Sequence, residues 1–227
     1  MSLIRKIKAI AHIPITRKDG LEYKDMGKAF DHISNEVQKR FPNQRIRIVV
    51  SGGTCAVLYF KSREKTKDID FLSLDPNIIE VVSGAQYTLP QDLRLRWPEN
   101  WVNAEMIGYA NMPGCENLYG NSIRCNVILY QSPWIVVYAA DWRFQLIGKI
   151  QRAYQMELLS THMQSIDRKG KDLQDAVAIL QELVMQNGGP LTKNAIRSWY
   201  NGSALENDGL DFVNAAYYAR FSQHAIV

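Results

Sequence analysis

Between Val49 and Phe71 the chain reads Val-Val-Ser-Gly-Gly-Thr, then thirteen residues, then Asp-Ile-Asp-Phe. Two apolar, strand-like pieces flank a Gly52-Gly53-Thr54 turn, and the second piece carries two carboxylates at a spacing of two. Side chains at i and i+2 of a strand share a face. Asp68 and Asp70 therefore project side by side, while Ile69 and Phe71 turn into the core. Two neighbouring carboxylates repel unless a cation sits between them. For an all-oxygen pair that cation is commonly Mg²⁺, and Mg²⁺ goes with phosphate chemistry.

The order Gly52-Gly53-Thr54 followed by Asp68-Ile69-Asp70-Phe71 resembles the signature of the nucleotidyltransferase superfamily, the polymerase-β-like fold. A glycine pair or an Asp-x-Asp alone is weak, and a strand, a turn and capping aspartates would explain each part separately. The resemblance rests on the two together, in order, with apolar flanks. It implies an α+β fold, a mixed sheet with flanking helices. It also implies that Asp68 and Asp70 hold Mg²⁺, and that Ser51, Gly52, Gly53 and Thr54 hold the triphosphate of an NTP substrate. A threonine just before the carboxylate strand is common among such proteins, and Thr66 stands there.

The family's third carboxylate comes from a later strand. Ile123–Tyr130 reads as that strand, and the aligned position is Asn126, which gives metal: Asp68, Asp70, Asn126 with one charge short. Glu105 and Asp141 are the alternative third ligands; a site that has lost two-metal chemistry is the other alternative.

Local patterns organise the rest. Met26, Ala29, Phe30, Ile33, Val37 and Phe41 recur at helical spacing and Pro42 ends the run. Arg45–Ser51 alternates and then turns apolar, as a central strand does. Thr54 suits an N-cap for a helix running to about Phe60. Lys61–Lys67 reads as a basic loop, either a solvated turn or a phosphate contact. Residues 77–95 read as a helix and a loop. Trp97 and Trp101 read as core or lid residues rather than a base-stacking platform, in a segment similar to one found in uncharacterised nucleotidyltransferase-like proteins of bacteria and fungi. Ile135–Ala139 reads as a strand. From Trp142 to about His162, Gly170 to Gln186, Thr192 to Trp199 and Asp211 to Phe221 the pattern is helical, with breaks at Gly188-Gly189-Pro190 and Asn201-Gly202-Ser203. The chain thus divides into a nucleotidyltransferase-like α/β part, 1–140, and a helical part, 141–227, that closes the cleft.

The helical part carries a second resemblance. Lys149-Ile-Gln-Arg152-Ala and Arg168-Lys-Gly-Lys171-Asp172-Leu-Gln-Asp175 are similar to the pattern of abortive-infection-type nucleotidyltransferases. On spacing alone these charges are surface ion pairs worth a few tenths of a kcal/mol each. The resemblance implies instead that Lys149 and Lys171 act catalytically, that Arg152 binds phosphate, and that Asp172 and Asp175 orient them.

Composition narrows the class. Of 227 residues, 46% are hydrophobic and 22% charged, an ordinary globular mixture without an apolar run of membrane-spanning length. The basic N-terminus lacks a continuous apolar core and a cleavage site, against a secretory signal, and is poor in serine, against an organelle-targeting one. Cys55, Cys115 and Cys125 form no Cys-x-x-Cys pair, which fits a reducing, cytoplasmic setting. His12, His32, His162 and His224 are scattered and read as surface or structural residues. A net charge of +4 permits, without requiring, a polyanionic partner.

Three functions follow. The first is transfer of a nucleotide from an NTP to an RNA (tRNA), protein or small-molecule acceptor. The second is a repurposed fold acting on aminoacyl-tRNA, similar to the fungal arginine-containing cyclodipeptide synthases, where Asp68 or Asp70 would meet a cationic substrate without NTP or Mg²⁺. The third is a binding protein without catalysis.

Overall fold

The computed structural model describes residues 18–159 and 163–227, with 163–169 described by backbone alone. A short strand β1 (Leu21–Glu22) leads into helix α1 (Tyr23–Arg40) and strand β2 (Ile46–Val50). Helix α2 (Gly53–Cys55) continues as a π-turn over Ala56–Phe60, ended by Lys61 at φ 51°. Strands β3 (Lys65–Thr66) and β4 (Ile69–Leu72) precede helices α3 (Pro76–Gly84) and α4 (Gln91–Arg96), strand β5 (Val102–Asn103), and helices α5 (Met106–Ala110) and α6 (Leu118–Cys125). Strands β6 (Ile128–Gln131) and β7 (Ile135–Ala139) follow. Helices α7 (Trp142–Leu158), α8 (Met163–Asn187), α9 (Lys193–Arg197) and α10 (Asn207–Phe221) complete the chain.

Five strands form one mixed sheet in the order β5-β4-β2-β7-β6. β2 pairs parallel with β7 and antiparallel with β4, and β4 pairs parallel with β5. Both faces are covered, which explains why β2 and β7 read as apolar runs rather than as alternation. Ile46, Ile48, Val50, Ile69, Phe71, Ile135 and Val137 face the larger buried cluster, shared with α1, α7, α8 and α10. Val49, Leu72, Val136 and Tyr138 face a smaller one with Met106 and Leu118. Ile69 and Phe71 are fully buried, as the spacing predicts. The larger cluster contains residues from both sides of position 140, so the change from sheet to helices there is not a gap in the core.

Trp97 and Trp101 are 1% exposed and pack edge to face at 5.3 Å, so both are core residues. His32 bonds Ala85 O and Thr88, and His224 bonds Asn214 and stacks on Tyr218; both are structural. His12 and His162 lie outside the described residues. Cys55, Cys115 and Cys125 are free thiols.

One strand prediction fails in its first half. Residues 118–125 are helical, and the strand begins only at Ile128. Leu118 and Ser122, one turn apart, are the buried positions, and Ser122 Oγ donates to Leu118 O at 2.6 Å. Asn126 ends this helix in the left-handed region at φ 55°, a conformation asparagine tolerates better than most residues.

The Gly-Gly turn is dictated sterically. Gly52 adopts φ 63° and ψ −126°, a region open to glycine. A Cβ on Gly53 would lie 1.9 Å from Thr66 Oγ1 and 2.6 Å from Thr66 Cβ. Gly53→Ala must therefore push β3 off the turn, and we expect it to lower stability by about 1–3 kcal/mol in urea denaturation; an unchanged midpoint would contradict this packing.

Candidate functional site

A cleft of about 1510 Å³ opens between the sheet's Gly52–Gly53 end and helices α7 and α8. Ser51, Gly52, Gly53, Asp68, Asp70, Lys149, Arg152 and Lys171 all line it, so the fold gathers eight of the predicted site residues into one cavity.

Two predicted residues lie elsewhere. Asn126 is exposed at the end of α6. The strand beyond it, β6, is separated from β4 by β2 and β7, so Asn126 is not the third ligand. The strand beside β4 is β5, where Asn103 stands opposite Asp70 and donates from Nδ2 to Asp68 Oδ2 at 3.3 Å. Thr54 is fully buried behind the turn, with Oγ1 3.5 Å from Asp68 O. It is neither the helix N-cap, which is Gly52, nor part of the cleft wall; it braces the carboxylate strand.

The turn itself is partly committed. Ser51 N–H donates to Asp70 O at 3.2 Å, and Gly52 N–H donates to Gln145 Oε1 at 2.9 Å. Buried Gln145 also donates to Ala140 O at 2.8 Å, tying α7 to the turn. The amides of Gly53 and Thr54 begin the helix and lie outside its hydrogen-bond ladder. A Cβ on Gly52 would lie 3.9 Å from Asp70 Oδ2, so the turn's backbone runs close to the carboxylate.

The acidic wall is Asp68, Asp70 and Glu105, the last just before α5. Burial pushes the Asp68 carboxyl up to about 6, with the charges of Asp70 and Glu105 adding to it. Burial raises Asp70 as well, with Glu105 adding to it, while the Asn103 amide, Arg152 and Lys149 pull it back. Asp70 Oδ1 is buried with no hydrogen-bond partner. A buried, unpartnered carboxylate oxygen in an acidic pair is a place for a cation. Among the described residues no group of three or more His, Cys, Asp or Glu side chains is arranged to hold a metal. Two carboxylates could hold an ion that takes one or two protein ligands and completes its shell with water, as Mg²⁺ does. Asp141, the other alternative third ligand, is engaged with Arg143 and Tyr200.

The opposite wall is cationic and braced from within. Lys149 Nζ sits 2.7 Å from Asp172 Oδ1 and 2.6 Å from Asp175 Oδ2. Arg63 Nη2, from the loop read as basic, lies 2.5 Å from Asp175 Oδ2 and 3.4 Å from Asp172 Oδ1. Arg152 Nε lies 3.4 Å from Asp172 Oδ2 and stays 43% exposed. Burial works against the Asp172 carboxylate, yet Lys149, Arg152 and Arg63 hold it below the usual range. These bonds run between segments rather than along one helix face, so this is not a set of surface i,i+4 pairs. Arg168 has no described side chain. Three cations against two anions leave the cluster positive, and Arg152 is its open member. Arg63 stands out in the sequence only as part of the basic Lys61–Lys67 loop, and Gln145 carries no sequence signal that separates it from other polar residues.

The family model of a domain of unknown function (DUF7582) matches residues 19–224. No curated protein and no solved structure gives a significant match.

Asp175→Asn leaves Lys149 and Arg63 short of a buried partner, so we expect a loss of about 3–5 kcal/mol by urea denaturation, part of it recovered by adding Lys149→Met. Asp68 gives a pH signature in metal-free protein. Its folded pKa is raised, so stability is intact below the unfolded value and declines as pH rises through about 6. Asp68→Asn removes that loss. Its Tm should match the parent at pH 4 and exceed it above pH 7; a constant offset would contradict the burial of a charge at Asp68.

Proposed function

The chain belongs to the family defined by this domain of unknown function, and we propose that its cleft has a nucleotidyltransferase-type fold and transfers a nucleotide from an NTP to a hydroxyl acceptor with Mg²⁺. The observation that carries this reading is the opposition, across one cavity, of a half-buried acidic pair, one of whose oxygens is buried and unpartnered, to a braced cationic cluster. Nucleotidyl transfer needs both, because charge gathers on the phosphate oxygens as the bond to the leaving pyrophosphate lengthens.

Each residue has a task in this reading. Asp68 and Asp70 would hold Mg²⁺, which when bound neutralises phosphate oxygens and lowers the pKa of an attacking hydroxyl. Glu105, just before α5, lines the same cleft and would take the acceptor's proton. Arg152 meets the outer phosphates as an exposed guanidinium, and Lys171 stands on the same lining. Lys149 does its work through charge: held by Asp172 and Asp175, it is a fixed positive wall rather than a mobile phosphate ligand. Gly52 lets the backbone pass beside Asp70, Gly53 lets Thr66 close on the turn, and Gln145 fixes the turn by occupying the Gly52 amide. The cavity exceeds the roughly 300–1,000 Å³ that holds one small ligand, which leaves space for donor and acceptor together. No helix among the described residues is long and apolar enough to cross a membrane.

The test is label transfer. With α-labelled nucleoside triphosphates, Mg²⁺ and total tRNA or small hydroxyl acceptors, the parent should transfer label and Asp70→Asn should lose at least about a hundredfold in rate. Metal-independent consumption of aminoacyl-tRNA without label transfer would overturn this reading in favour of a repurposed fold. Binding without turnover of either would make the protein a binding module.

A further inference from the structure

The cleft has a second end that phosphate chemistry does not use. Met106, Tyr109 and Met112, from α5 and the turn after it, line the cleft with Phe144 of α7 and Asn201, and Tyr109 meets Phe144. These five side chains carry no charge, whereas the lining cations come from the 63–67 loop, from Lys149 and Arg152 on α7, and from Lys171 on α8. The rings are held rather than loose. Phe144 lies edge-on to Tyr109 at 6.3 Å and to Tyr200 at 5.7 Å. Tyr200 is fixed in turn, its hydroxyl donating to buried Asp141 at 2.7 Å and accepting from Asn121 at 3.1 Å. Phe144 leans on the smaller core cluster, while Tyr109 is 48% exposed. An aromatic surface left open inside a polar cleft is more than core packing requires.

Helix α7 links this end to the cationic one. Phe144, Gly148 and Arg152 stand at i, i+4 and i+8, hence on one face, and all three line the cleft. Eight residues of helix rise about 12 Å. Gly148 leaves the groove between them without a side chain; a Cβ there would lie 3.5 Å from Arg152 Nη1. One face of one helix thus offers a ring, a gap and a guanidinium in line. That spacing is comparable with the distance from the ring to the outer phosphates in an extended nucleoside triphosphate.

We infer that the cleft takes a bipartite ligand whose flat, uncharged ring rests on Tyr109 and Phe144 while its anionic tail reaches Arg152, so that Tyr109 and Phe144 are binding residues for a heteroaromatic ring. This rests on the reading of the cleft as a phosphate site and adds the ring platform to it. Stacking on an aromatic side chain tolerates any base, since each has a π-face. Asn201, which follows Tyr200 and lines the cleft, would bond a ring edge.

Binding measured by titration calorimetry on the full chain separates the two ideas, with Mg²⁺ at fixed concentration and tripolyphosphate, ATP, GTP, CTP and UTP as probes. At least one nucleotide should bind about tenfold or more tighter than tripolyphosphate. Tyr109→Ala should erase that advantage and leave tripolyphosphate binding unchanged, and Tyr109→Trp should keep it. Tyr109 is half exposed, so its replacement is not expected to unfold the chain; Phe144→Leu is the second variant. Arg152→Ala should weaken nucleotide and tripolyphosphate alike. If tripolyphosphate binds but no nucleotide binds tighter, or if the advantage survives Tyr109→Ala and Phe144→Leu, the ring platform is overturned and the phosphate reading stands. If neither tripolyphosphate nor any nucleotide binds, the phosphate reading itself fails and the inference falls with it.

Discussion

Lys149 between Asp172 and Asp175 is the interaction on which the cleft depends. Ions this deep lose several kcal/mol each in hydration. At an effective dielectric constant near 20, a pair 4 Å apart recovers about 4 kcal/mol. The intact cluster therefore comes out near neutral, while removal of one member leaves an uncompensated charge. It is less a source of stability than a constraint on arrangement. It fixes α7 against α8 and draws the loop carrying Arg63 onto both. The wall facing Asp68 and Asp70 is held in position by charges that cannot separate cheaply.

A second constraint meets it from the sheet side. Gly53 allows Thr66 to close on the turn, Thr54 contacts the Asp68 carbonyl, and Gln145 caps the Gly52 amide. Position along β4 then sets the chemistry. Ile69 and Phe71 anchor the strand in the large cluster, and the alternate residues Asp68 and Asp70 emerge at its open end. The acids carry raised pKa values because burial strips them of water and neighbouring carboxylates repel their charge. The magnesium-bound triphosphate proposed for the cleft would bring positive charge to the acids and negative charge to Arg152.

What the sequence made legible was periodic. The spacing of two in Asp68 and Asp70 put them on one face, and apolar runs gave β2, β7 and the long helices. The structure keeps Ser51, Gly52, Gly53, Lys149, Arg152 and Lys171 at the same cleft. The misses share a cause, which is that a residue type was read without its tertiary neighbours. Ile-Arg-Cys-Asn alternates like a strand, but Leu118 and Ser122 bury one helical face and Asn126 can adopt the left-handed turn that ends it. Thr54 looked like a cap or phosphate ligand until the sheet closed over it. Asn103 ends the Trp97–Asn103 segment, but its place beside Asp70 was hidden because β5 is a two-residue strand, too short for any period to register. Arg63 and Gln145 owe their roles to partners more than ninety positions away.

If the acidic pair is a cation seat completed by a phosphate ligand, anomalous scattering from Mn²⁺ in crystals grown with a non-hydrolysable nucleoside triphosphate will locate the ion. A peak is expected between the carboxylates of Asp68 and Asp70, in contact with phosphate oxygens that also approach Arg152. Bound nucleotide with no metal at the pair, or metal bound away from both aspartates, would contradict it.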